Sequence, residues 1–144
     1  IDVNKYDKVF MDLTHQINNI TDVRSKVLVL HLFIEYWLDE IINAQFPTPK
    51  NLLNFSFYDK TEIISSTGLI NEEIEFNIKK INQIRNKFIH ILDLTQITNE
   101  TSQLINELKA DDIPIHTNHR FEVICIKVMN QLYHIVNVII DSKN

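Results

Sequence analysis

Apolar residues recur along the start of the chain at alternating intervals of three and four: Val3, Tyr6, Phe10, Leu13, Ile17 and Ile20. This spacing places them on one side of an α-helix. Thr21 and Asp22 offer capping side chains for a second helix that runs to about Gln45. Its stripe of Val23, Val27, Leu30, Ile34, Trp37 and Ile41 is widened by Leu28, Phe33, Leu38 and Ile42. A helix this apolar is expected at the centre of a bundle or buried on two sides. Pro47 and Pro49 in "FPTPKNLLNF" stop it, because proline cannot continue a helix and disfavours helical geometry in the residue before it.

Ser56 with Asp59 predicts the start of a short third helix reaching about Thr67, and Gly68 reads as its left-handed terminator. Asn71 caps a fourth helix whose first turn carries Glu72 and Glu73, where the helix dipole favours negative charge. "ITNETSQLINELK" predicts a weaker fifth helix and "DDIPIHTNH" a loop. The last helix is expected from about His119 to Ile140 with two apolar stripes. One is Phe121, Ile124, Val128, Leu132, Ile135 and Ile139; the other is Ile126, Met129, Tyr133, Val136 and Ile140. Two stripes suit a helix facing both its own bundle and a second surface, such as another copy of the chain. The expected fold is all-α: one domain over residues 1–144, an up-and-down bundle of four long helices with one or two short ones.

Composition narrows the choice. One glycine and three prolines are too few for an all-β protein of tight turns, and one glycine excludes a glycine-rich phosphate loop. The single cysteine, Cys125, forms no internal disulfide, and with no basic-then-apolar leader at the start a cytoplasmic setting is expected. His31, Glu35, Asp39 and Glu40 interrupt the long apolar stretches, so no membrane span is expected. The net charge of -5 counts against a broad phosphate-neutralising surface, so any nucleic acid would be held at a local cationic spot.

On the fourth helix Ile74, Ile78, Ile81, Phe88 and Leu92 define the apolar face, and Arg85 completes their spacing. Either its aliphatic stem packs while the guanidinium reaches out or pairs with an acid, or a charge is wanted in a cleft or interface. Arg85 and His90 would lie roughly 140° apart around an ideal helix, too far to touch, whereas Asn86 and His90 share a face. Within one chain such a site is incomplete.

The run "IRNKFIH" has an arginine, a polar residue, and a histidine five residues after the arginine, near the end of a bundle helix. It resembles the signature of HEPN domains, helical bundles many of which are metal-independent ribonucleases. The stretch from Phe55 to His90 is similar to the mannitol-repressor-like branch, sharing a short helix, "GLI" before a capped acidic start, and the asparagine-flanked arginine. The resemblance covers about a quarter of the chain by motif. It implies a homodimer in which two copies of the helix pool two arginines and two histidines around an RNA phosphate. Arg85 would stabilise the phosphate and His90 would act as general acid and base. Asn86 would orient His90 or the phosphate. Products would be 2',3'-cyclic phosphate and 5'-hydroxyl ends, with no cofactor and no metal. A toxin–antitoxin or phage-defence role would add an antitoxin or regulatory protein as partner. The same superfamily contains non-catalytic dimeric transcriptional regulators acting through protein–protein contacts, which is the alternative expectation.

Other candidates read as structural. His31, Glu35 and Asp39, spaced by four, could form a metal face but fit better as a polar edge, and Glu35 or Asp39 could pair with Arg85. His116 and His119, flanking a loop with Asp111 and Asp112, read as solvated histidines. Cys125, between Ile124 and Ile126, reads as a small core filler.

Overall fold

Side-chain caps start three of the helices, α2, α3 and α4. The computed structural model describes residues 3–90, 99–115 and 119–144. Six α-helices and one 3-10 helix are formed among them, with no strand. Helix α1 spans Val3–Asn19, and α2 spans Val23–Gln45 behind Asp22, whose carboxylate accepts from the Ser25 amide at 2.8 Å. The segment expected only to stop α2 forms a 3-10 helix, Pro49–Asn54, with proline at its start. Helix α3 is Phe57–Ser66, capped by Ser56, and Gly68 follows it at φ 79°, the left-handed region where glycine is at ease. Helix α4 is Glu72–Phe88, its cap Asn71 accepting from the Ile74 amide at 2.8 Å. Helices α5, Asn99–Asn106, and α6, Arg120–Lys143, complete the set. The expectation for Leu92 lies outside the described residues, as does that for His116.

Helix α2 is the hub. It packs most extensively on α6 and also meets α1, α3, α4 and the 3-10 helix, the central position its broad apolar surface predicts. Trp37 is fully buried among the rings of Tyr6, Phe10, Tyr36 and Tyr133, with centroids 5.2–5.5 Å away. Cys125 is also fully buried, and burial pushes its thiol up, which suits a packing residue rather than a nucleophile.

Helix α6 departs from expectation in two ways. By length and composition alone it could cross a membrane, whereas no span is expected from the interrupted stretches of α2. In this fold its buried residues face the core beside α2, and they come from both apolar stripes: Ile124, Val128 and Leu132 from one, Met129 and Val136 from the other. Its first residue, Arg120, is buried as well. Its guanidinium donates to the carbonyls of Leu108 (2.9 Å), Ile113 (2.5 Å) and Pro114 (3.3 Å), tying the preceding loop to the helix start.

Candidate functional site

Between Ile81 and Phe88 two adjacent residues fit the helical spacing equally: Ile84 is three after Ile81, and Arg85 is four. The core takes Ile84, which is fully buried, so the expected place of Arg85 in the stripe is corrected. Arg85 is displaced to the edge of that stripe and is half-buried. Aliphatic burial favours this choice, since a guanidinium in the core would shed its hydration without a partner. Its Nη1 donates to Asn86 Oδ1 at 3.2 Å.

The helix ends at Phe88, so His90 stands on a turn rather than on a continuing rod. The His90 amide donates to the Lys87 carbonyl at 3.2 Å, and the residue is exposed. Among the described residues Asn86 is engaged with Arg85 and not with His90, unlike the i,i+4 pairing expected from sequence. Arg85, Asn86 and His90 thus lie within one turn of the end of α4, with Arg85 and Asn86 in contact.

A second histidine lies close enough to Arg85 to feel its charge. His31 on α2 is 7% exposed, its ring stacked on Phe57 at 4.0 Å between centroids, and its Nε2 meets Asn82 Oδ1 at 2.9 Å. With an amide oxygen opposite, Nε2 carries the proton. Asn82 lies three residues before Arg85, on the same side of α4. Burial is the main cause that pulls the His31 imidazole below its ordinary value, and the Arg85 charge acts in the same direction against the Asn82 bond and Glu35. A lowered histidine makes stability fall with acidity. Above the ordinary value of about 6.5 neither folded nor unfolded chain holds this proton; below it the unfolded chain takes it up first. Stability is therefore expected to drop as pH falls below about 6.5, and His31→Gln should flatten that slope in urea titrations run between about pH 7 and 5.5. Equal slopes for both proteins would contradict this.

Glu35 and Asp39, the remaining members of that polar edge, turn to Lys60 instead of Arg85. The Lys60 ammonium, 4% exposed as a residue, is 3.1 Å from Glu35 Oε2 and 2.9 Å from Asp39 Oδ1. Burial works against its charge, yet the bonds to Asp39 and Glu35 outweigh that and hold its pKa up. Burial raises the Asp39 carboxyl in spite of Lys60, with Glu35 and Glu40 adding repulsion. Sequence reading missed this cation, although Lys60 continues the Phe57–Ile64 spacing and so occupies an inward position. Lys60→Met leaves two partly exposed carboxylates facing each other and should cost about 2–3 kcal/mol, less than for a fully buried pair, measurable by urea unfolding. A loss below about 0.5 kcal/mol would show the triad to be energetically neutral.

Among the described residues no group of three or more histidine, cysteine, aspartate or glutamate side chains is placed to hold a metal. Asp112 pairs with Lys127 at 2.7 Å, and His119 forms the start of α6. No protein-family model matches the chain, and no characterised protein or solved structure matches it in the corresponding comparisons.

Proposed function

We propose that this chain is a HEPN-like, metal-independent endoribonuclease, an up-and-down helical bundle that works as a cytoplasmic homodimer in a toxin–antitoxin or phage-defence setting. The observation that carries this reading is the state of Arg85. It is partly exposed and, among the described residues, forms no ion pair, while Glu35 and Asp39 are held by Lys60. A guanidinium left without a carboxylate is free to meet a phosphate with its remaining donors. The regulator alternative could bury Arg85 in an internal ion pair and leave His90 alone in solvent; no such ion pair is formed among those residues, while His90 is exposed.

In the composite site, one copy's His90 takes the proton of an RNA 2'-hydroxyl and that oxygen attacks the adjacent phosphorus. The bond to the 5'-oxygen breaks, and the second copy's His90 supplies its proton. Both Arg85 side chains offset the charge growing on the non-bridging oxygens, and Asn86 holds the Arg85 guanidinium in place. The products are a 2',3'-cyclic phosphate and a 5'-hydroxyl. Ile89, 37% exposed beside His90, gives the pairing surface an apolar contact. Incubation with total RNA in the presence of a chelator, followed by analysis of the ends produced, tests the reading. Cleavage giving those ends supports it, and intact RNA at high protein concentration overturns it.

A further inference from the structure

Helix α2 carries more apolar surface than the fold covers. Leu32 is 62% exposed, and Phe33 and Tyr36 are only half-buried. With Val9 of α1 they line a groove of about 450 Å³ between the two helices. One exposed leucine calls for no explanation, whereas a leucine continuous with three partly exposed apolar neighbours marks a contact surface.

The charged groups on this groove have one sign. Asp12 of α1 and Glu35 and Asp39 of α2 line it, and Gln16 completes the wall. Among the described residues the lining includes no lysine, arginine or histidine. Lys60 meets Glu35 and Asp39 from α3 but is itself 4% exposed, so three carboxylates are set against one buried cation. Asp12 is exposed and forms no ion pair among the described residues. Burial raises the Asp39 carboxyl in spite of Lys60, and a second cation at the groove would lower it again. The same sign runs through the whole chain, whose net charge is -5.

We propose that this groove is the docking site for a basic amphipathic helix of another protein. Apolar side chains three or four residues apart on that helix pack against Val9, Leu32, Phe33 and Tyr36, and flanking lysines or arginines meet Asp12, Glu35 and Asp39. From Leu32 to Asp39 the wall formed by α2 runs about 10 Å, two turns, enough for two such apolar anchors. The carboxylates repel phosphate, so this face suits neither nucleic acid nor an anionic membrane. It is built on α1 and α2, apart from the end of α4, and the inference stands without the ribonuclease reading.

Fluorescence anisotropy on the full chain at physiological ionic strength tests it. The probe is a dye-labelled peptide of leucine, lysine and alanine patterned as an amphipathic helix. Its controls are the same composition scrambled and the same pattern with glutamate for lysine. Saturable binding of the patterned basic peptide is expected, at least roughly tenfold tighter than of either control. Leu32→Glu separates docking from plain charge attraction. It removes an exposed apolar anchor while making the groove more acidic, so docking predicts binding roughly tenfold weaker and charge attraction predicts it tighter. Asp12→Lys should also weaken binding roughly tenfold, while Asp111→Lys, the same charge change at an exposed position outside the groove, should alter it less than about twofold. The proposal is overturned by absence of saturable binding, by equal binding of the scrambled peptide, by undiminished binding in Leu32→Glu, or by equal losses in the two lysine variants. It is also overturned if Leu32→Glu converts a dimer to single chains in sedimentation, since a second copy then covers the groove.

Discussion

Arg85→Ala is expected to lower RNA cleavage by roughly 10²–10³-fold, the usual consequence of removing a preorganised donor from a developing oxyanion. His90→Ala should lower it by roughly 10²–10⁴-fold, since each site would lose both its base and its acid. Neither change should weaken the fold by more than about 1 kcal/mol. Arg85 has one partly exposed, 3.2 Å hydrogen bond to an adjacent residue, and His90 is exposed on a terminal turn. The contrast between activity and stability is the informative part. Arg85→Lys keeps the charge but loses the planar fork, so it should recover only a fraction of the rate. Cleavage should be indifferent to a chelator throughout. Activity retained in Arg85→Ala, or lost only in step with thermal stability, would remove the assigned roles.

The largest effect on stability is expected at Trp37. Trp37→Ala deletes a fully buried ring from the aromatic cluster that joins α1, α2 and α6, and should cost about 3–5 kcal/mol. For a domain held by about 5–15 kcal/mol that is a large share of the total. Trp37→Phe is a sharper probe. The indole Nε1 is buried and, among the described residues, has no hydrogen-bond partner, a cost phenylalanine does not carry, so the smaller ring should lose only about 1 kcal/mol. Trp37 is the single tryptophan, so unfolding is followed by circular dichroism. An alanine variant no worse than the phenylalanine one would show that the cluster is not the centre of the core.

The helices were legible where the deciding chemistry is local. Asp22, Ser56 and Asn71 each bond an amide three residues ahead, so a short window of sequence contains the whole interaction. Gly68 is similar, since its left-handed backbone is a property of one residue. Partners drawn from different helices were not legible. Lys60 lies on an apolar row of α3 and is tolerated there only because α2 presents Glu35 and Asp39 to it. His31 reads from spacing as part of a polar edge with those acids, yet its partner is Asn82 on α4. Ile84 and Arg85 satisfy the same periodicity, and what separated them was desolvation of the guanidinium, an energetic matter rather than one of spacing. In the candidate site Arg85 and Asn86 could be named from a short motif. The end of α4 before His90, which sets that histidine on a turn, became visible only in three dimensions.

One Arg85 and one His90 per chain become a nuclease only if two chains share a site, and the dependence of specific activity on protein concentration tests this most directly. Sedimentation equilibrium on the same samples gives the dimer fraction at each concentration. The account predicts that RNA cleavage per chain and the dimer fraction fall together on dilution. Constant cleavage per chain by a species with the mass of one chain would contradict it.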